Sequence, residues 1–404
     1  MIQKFALKGR RNFLLGLGSM ALTTNLGKLE KENLLSSIKS TSLAQKQFSS
    51  LKDKAAEKGI IYGSYVEGKY ADFFADIEFQ SLFIRECALL IGGFQWSRIY
   101  NRADTFDFSG TDALAEFAAE NQMLLRGQSL IYHQFQPQWL IDRFQDSATT
   151  SAQIRDILVD SISTIVGRYA GKMHSWVVVN EAINIADGRA DNLRDTTISP
   201  ALSSNGWGKY PTWMNFLGAD YIDLAFRTAH EADPQALLIY NEYDLCYDTP
   251  EQESKRVAVL NLLKSLKSKN TPIHALGIQA HLDGNKNRQF NRHKFKRFLK
   301  KVAKLGLKII ISELDVSDRD LGANKSRRDR IVATAYRKLL SAALSEPAVI
   351  SVTTWGLSDR YSWLSWHKPR KDKLPVRPLP FNDKLEPKLA YARIADAFEN
   401  APQR

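Results

Sequence analysis

Cysteine is nearly absent: Cys87 and Cys246 are the only two in 404 residues. Two thiols build neither a disulfide framework nor a Cys-based metal site. Histidine is scarce too, at seven, and none stands in an HExxH or comparable ligand spacing, so no metal is expected. No Gly-x-Gly-x-x-Gly follows an apolar run, which weighs against a dinucleotide-binding fold. No strand end offers a lysine suited to a Schiff base, and no cofactor is expected. Long hydrophobic runs are missing as well. The apolar part of the N-terminus falls short of the roughly 20 residues that span a bilayer, and nothing later could be transmembrane.

What is present is a chain 44% hydrophobic and 25% charged, enough for a large core. Its length fits two ordinary domains or one α/β barrel. The formal charge is +12, a balance that can signal nucleic acid or an anionic surface. Much of it, however, lies in the N-terminal leader, in NKNRQFNRHKFKRFLKKVAK (285–304) and in HKPRKDK (367–373). The 285–304 run reads as the solvated face of a helix and the others as exposed ends, so nucleic acid is not an expected partner. KGRRNFLLGLGSMAL (8–22) joins Arg10-Arg11 to a short apolar run. That is the pattern of an export signal, and the paired arginines suggest the twin-arginine route. Residues 1–47 are therefore expected to be leader and linker, and 48–404 a single exported catalytic domain, monomeric and periplasmic or extracellular.

From about residue 50, helical and apolar stretches alternate. LKDKAAEKG (51–59) leads to IIYGSYV (60–66), and FIRECALLI (83–91) is a second apolar run. FSGTDALAEFAAENQ (108–122) precedes MLLRGQSLIYH (123–133), and DILVDSISTIVGRYAG (156–171) precedes WVVVNE (176–181). The order repeats at ALLIYNEYD (236–244), IHALGIQAHL (273–282), LKIIISELDV (307–316) and VISVTTWGLSD (349–359). Continuous apolar strands imply burial on both faces, hence a parallel sheet, and the alternation implies βαβ units. Eight of them predict an α/β fold of one closed (β/α)8 TIM barrel, with no second domain.

Chemistry in such barrels sits at the C-terminal strand ends. Here those ends carry His133, Asn180-Glu181, Asn241-Glu242-Tyr243, Gln279 and His281, Glu313 and Asp315, and Trp355. Glu181 and Glu313 are each expected to end an apolar strand, the fourth and the seventh, which face one another across the mouth. Two opposed carboxyl groups suit glycoside hydrolysis. One protonates the leaving oxygen while the other attacks the anomeric carbon or activates water, and a separation of about 5–5.5 Å means a retaining route.

The chain from about 50 to 398 resembles the glycoside hydrolase family 10 xylanases, segment by segment. The family's Trp-Asp-Val-Val-Asn-Glu-Ala stands as WVVVNEA (176–182), its Asn-Asp-Tyr-Asn as NEYD (241–244) and its Gly-x-Gln-Ser-His as GIQAH (277–281). Its Ile-Thr-Glu-Leu-Asp stands as IISELDV (310–316), its Trp-Gly-x-x-Asp-x-x-Ser-Trp as WGLSDRYSW (355–363), and its Pro-Lys-x-Ala-Tyr as PKLAY (387–391). The resemblance implies that Glu181 is the general acid/base and Glu313 the nucleophile. Asn180 would hold the sugar 2-hydroxyl, and His281 with Gln279 would orient the nucleophile. Trp355 and Trp363 would cover the sugars with aromatic faces. The acid's pKa would be raised by the nearby charge of Glu313.

The N-terminal sugar-binding pattern departs from the family. Its Glu-Asn-x-Met-Lys-Trp becomes IGGFQW (91–96), so the carboxylate is Ile91, the amide Gly92 and the lysine Gln95. Its Gly-His-x-Leu-Val-Trp-His becomes GQSLIYH (127–133), which puts Gln128 and Tyr132 where histidine and tryptophan stand and keeps His133. A glutamine two places later is Phe135 here. The expected site comprises Glu181 and Glu313 with Asn180, His281, Gln279, Trp355, Trp363, Tyr243, His133, Gln128, Gln95 and Tyr132. The partner is a β-linked polysaccharide and the expected activity retaining endo-β-1,4-xylanase. The alternatives are a different β-linked glycan, using room opened by Gly92 and Gly93, and a non-catalytic carbohydrate-binding protein.

Overall fold

The computed structural model describes residues 49–199 and 208–404. The leader and linker expected over 1–47 lie outside them. Residues Ser50–Arg404 form one compact unit. Eight parallel strands build it: β1 (Ile61–Tyr65), β2 (Leu89–Gly93), β3 (Leu124–Tyr132), β4 (Ser175–Asn180), β5 (Leu237–Glu242), β6 (Ala275–Ile278), β7 (Lys308–Ser317) and β8 (Val349–Thr354). Each pairs with the next, and β8 returns to β1 through Ile61↔Ser351 to Ser64↔Thr354, which closes the barrel. The (β/α)8 expectation is met.

The period of two along the strands sorts the side chains. On β4, Val177 joins Ile239, Ala275, Ile310 and Ile350 inside the barrel. Its neighbours Trp176 and Val178 face outward into the large core between sheet and helices. Gly127 is required by this packing, since a Cβ there would come within 2.1 Å of the Trp176 ring. Helices fill each crossover: Ser151–Arg168, for example, starts on a Thr150–Gln153 capping box before β4.

Three expectations need correction. FIRECALLI is not one strand: 83–86 end a helix, Ile77–Glu86, and β2 begins at Leu89. Apolar periodicity alone cannot separate a buried helix end from a strand. Second, the 285–304 run contains an α-helix only over Arg292–Ala303, whose Phe295, Phe298, Leu299 and Val302 are buried. Third, HKPRKDK is not an exposed end throughout. Arg370 is buried and donates to the carbonyls of Asp318 and Leu321, pinning the segment to the loop after β7. Among the described residues, no helix is long and apolar enough to cross a membrane.

Candidate active site

The two glutamates are delivered by different backbone devices. Glu181 lies one residue past β4 with φ +57°, a left-handed conformation that a non-glycine residue holds only when its surroundings enforce it. Its N–H donates to the Asn241 carbonyl at 2.9 Å. Arg194 donates to the Glu181 carbonyl at 3.0 Å and to that of Ile183 at 3.3 Å. Glu313 does not end its strand as expected, because β7 runs on to Ser317. Barrel pairing with β6 stops at Ile311, and the register with β8 slips between Ile311 and Leu314. Beyond that irregularity β7 pairs with the short strand His281–Asp283, so Glu313 occupies the functional edge of the barrel.

Glu313 is almost fully buried and held on both oxygens. Gln128 Nε2 donates to Oε1, as does Asn241 Nδ2 at 2.6 Å, while His281 Nε2 lies 3.1 Å from Oε2. His281 Nδ1 meets Asp315 at 2.9 Å, and Trp363 Nε1 donates to the other oxygen of Asp315 at 2.7 Å. Burial works against a charged His281. The carboxylates of Asp315 and Glu313 outweigh it and raise its pKa to about 10. At neutral pH the ring is therefore an imidazolium that donates from both nitrogens. Ser312 Oγ donates to Asn241 Oδ1 at 2.6 Å. A Cβ at Gly277 would come within 2.2 Å of that oxygen, so β6 must carry glycine there.

Glu181 Oε1 accepts from Gln279 Nε2 at 2.8 Å, Tyr132 OH at 3.1 Å and Asn180 Nδ2 at 3.3 Å. His133 Nε2 stands 4.0 Å from Oε2. Burial first, then Arg194 and Lys255, push the His133 pKa well down, so this imidazole is neutral. The Glu181 pKa is raised to about 7, chiefly by burial and then by Glu242, with Glu313 behind them. The expected contribution of Glu313 is present, behind burial and Glu242. Asn180 Oδ1 accepts from Asn241 Nδ2 at 2.8 Å, so an amide chain links the surroundings of the two glutamates. A proton held on one carboxyl near neutral pH, opposite a carboxylate fixed by three donors, is the equipment of acid–nucleophile chemistry.

Most expected residues converge here, but four residues stand differently from expectation. The Gln279 side chain reaches Glu181 rather than the nucleophile position, and only its carbonyl accepts from the Glu313 N–H, at 3.0 Å. Tyr243 contacts two cations: its ring covers the Lys255 ammonium and its OH accepts from Arg194 at 3.3 Å. Gly92 and Gly93 open no room. A Cβ on Gly92 would strike Leu114 of the outer helix layer, and one on Gly93 would meet Gln95 Oε1 at 2.5 Å and Tyr65 OH at 2.9 Å. Trp355 lies flat on Tyr65 with ring centroids 3.9 Å apart, and Trp363 stacks on His367 at 4.4 Å, the two tryptophans flanking His281.

Five supports stand outside the expected site: Asn241, Asp315 and Glu242, named only as strand-end residues, and Arg194 and Lys255, not named at all; Glu242 and Lys255 form a buried pair 2.9 Å apart. Asp315 could have been found by strand periodicity, since it lies two residues beyond Glu313 and shares its face. Glu242 also accepts from Tyr240 OH at 2.5 Å and from the Ile183 N–H at 3.1 Å, holding the loop that follows Glu181.

Fold and site together define a barrel glycoside hydrolase. The Glycosyl hydrolase family 10 profile matches residues 50–397. Endo-1,4-beta-xylanase B of Thermotoga neapolitana is 31% identical over 317 residues, 78% of this chain and 82% of that protein. Endo-1,4-beta-xylanase of Geobacillus stearothermophilus is 34% identical over 309 residues, 72% of this chain and 82% of that protein. The crystal structure of native xylanase 10B from Thermotoga maritima aligns with a TM-score of 0.73 at 29% identity, covering 87% of this chain and 98% of that one. The chain belongs to glycosyl hydrolase family 10.

Proposed function

We propose that this protein is a retaining endo-β-1,4-xylanase in which Glu313 is the nucleophile and Glu181 the acid/base. The observation that carries the reading is the asymmetry of the pair. Glu313 receives hydrogen bonds from Gln128, Asn241 and the His281 imidazolium, which fix its carboxyl group in place. Glu181 is pushed to about 7 and so carries a proton near neutral pH. In the first step a Glu313 oxygen bonds to the anomeric carbon as the glycosidic C–O bond breaks, and the Glu181 proton goes to the departing oxygen. Glycosylation removes the Glu313 charge, so Glu181, now ionised, is a stronger acid than before. It takes a proton from water as that water attacks the anomeric carbon and releases Glu313. Asn180, one residue from the acid, would hold the 2-hydroxyl, and Trp355 and Trp363 would cover the sugar.

Arg10-Arg11 and the apolar run after them support export by the twin-arginine route, and in this reading the protein acts as a monomer on xylan. Ile91, Gly92 and Gln95 at the family's polar positions favour a second reading, hydrolysis of a different β-linked glycan. A panel of β-glycans with product analysis separates the two. Short xylo-oligosaccharides released from xylan, with activity lost in Glu181→Gln and Glu313→Gln, are expected. Hydrolysis confined to another glycan sinks the xylanase assignment, and inactivity on the whole panel sinks both.

A further inference from the structure

A third carboxyl lies at the same mouth. Glu67 follows β1 by two residues and is 8% exposed, yet its Oε2 is buried without a hydrogen-bond partner in the protein. No ion pair reaches it among the described residues. The nearby Arg98 donates instead to the Gly68 carbonyl at 3.2 Å. Glu67 feels the charges of Asp315, His281 and Glu313, and burial, then Asp315, raise its pKa to about 8. Two other side chains at this mouth share the condition: Gln95 Oε1 and Gln128 Oε1 are buried and lack protein partners.

An unpaired buried polar group costs stability, so native proteins rarely keep one without a use. Neighbouring strands explain where this one came from. Tyr65 of β1 pairs in register with Ile91 of β2, where the family pattern has its carboxylate. With Ile91 and Gly92 offering no polar side chain, β1 delivers a carboxyl to the adjoining region, and Tyr65 stacks on Trp355 to form its floor.

We propose that Glu67 is a substrate-binding residue that hydrogen-bonds sugar hydroxyls on the non-reducing side of the cleavage point, with Gln95 beside it. The ligand class is a β-1,4-linked pyranose oligomer, and the assignment rests on the glycanase reading above.

The test is calorimetric titration of xylotriose into Glu181→Gln, and into the same variant carrying Glu67→Met or Glu67→Gln. Methionine keeps the shape and removes the carboxyl. Its Kd is expected to rise about ten- to a hundredfold, with glutamine recovering part of the loss. The thermal midpoint should stay level or rise, because an unpaired buried group has gone. An unchanged Kd overturns the proposal. So does a weaker Kd that comes with a lower midpoint and no recovery in glutamine, which assigns Glu67 to the framework. If Glu181→Gln alone binds no xylo-, cello- or manno-oligosaccharide, the glycanase reading fails first, and Glu67 with it.

Discussion

The two halves of the barrel mouth are built on opposite principles. On the β4–β7 side the polar side chains bond one another: Asn180, Asn241, Gln279, His281 and Asp315 form a chain of protein–protein hydrogen bonds around the two glutamates. On the β1–β3 side, Glu67, Gln95 and Gln128 each leave a buried oxygen without a protein partner. Catalysis needs preorganisation, so groups that stabilise developing charge must already be in place. Recognition needs groups left available for the ligand. The chain keeps the family's first half and has rebuilt the second.

Removing the proposed nucleophile should do the most damage. Glu313→Gln is expected to lower kcat on xylo-oligosaccharides on the order of 10⁴-fold or more, measured by reducing-sugar release. If it loses less than tenfold, the ordered half is not the catalytic half. Glu181→Gln should cost roughly 10²- to 10⁴-fold, and less on an aryl glycoside whose leaving group needs little protonation. Equal losses on both substrates would remove Glu181 from the role of acid.

Electrostatic tuning is the next tier. With Glu181 titrating at about 7, kcat/KM should fall as pH rises past neutrality. Glu242→Gln removes a charge that raises this pKa and leaves Lys255 buried without its partner. The basic limb should therefore move to lower pH, and stability should drop by about 3 kcal/mol or more in chemical denaturation. A limb that stays put would exclude Glu242 from tuning. A further pH effect concerns His281, whose pKa of about 10 in the fold exceeds its unfolded value near 6.5. The stability it contributes is complete below that value and is lost as pH rises through about 10. The thermal midpoint should thus fall more steeply between pH 7 and 10 in the wild type than in His281→Asn.

The same division governed what could be read before the fold was known. WVVVNE and IISELDV announce themselves because an apolar strand running into a carboxylate is locally contradictory, and a place at the barrel mouth resolves it, just past the strand for Glu181 and at a register slip for Glu313. Asn180, His281 and Gln279 lie within a few residues of such ends and were legible for that reason. Glu242–Lys255 was not, since its partners lie 13 residues apart on a strand and the following helix. Nor was the filling of the space beside Gly93, which depends on Gln95 and on Tyr65 from another strand. Contacts between elements are set by the closed barrel, and no local pattern encodes them. The sequence departures at 91–95 were visible, but their compensation by Glu67 required knowing that β1 and β2 are neighbours in register.

The central claim is that Glu313 forms a covalent bond to the sugar. Incubation with a 2-deoxy-2-fluoro-β-xylobioside bearing an activated leaving group, followed by peptide mass spectrometry, tests it directly. The account predicts one fluorinated disaccharide on the peptide containing Glu313, absent from Glu313→Gln. An adduct on any other residue, or turnover with inverted anomeric configuration and no adduct, would contradict it.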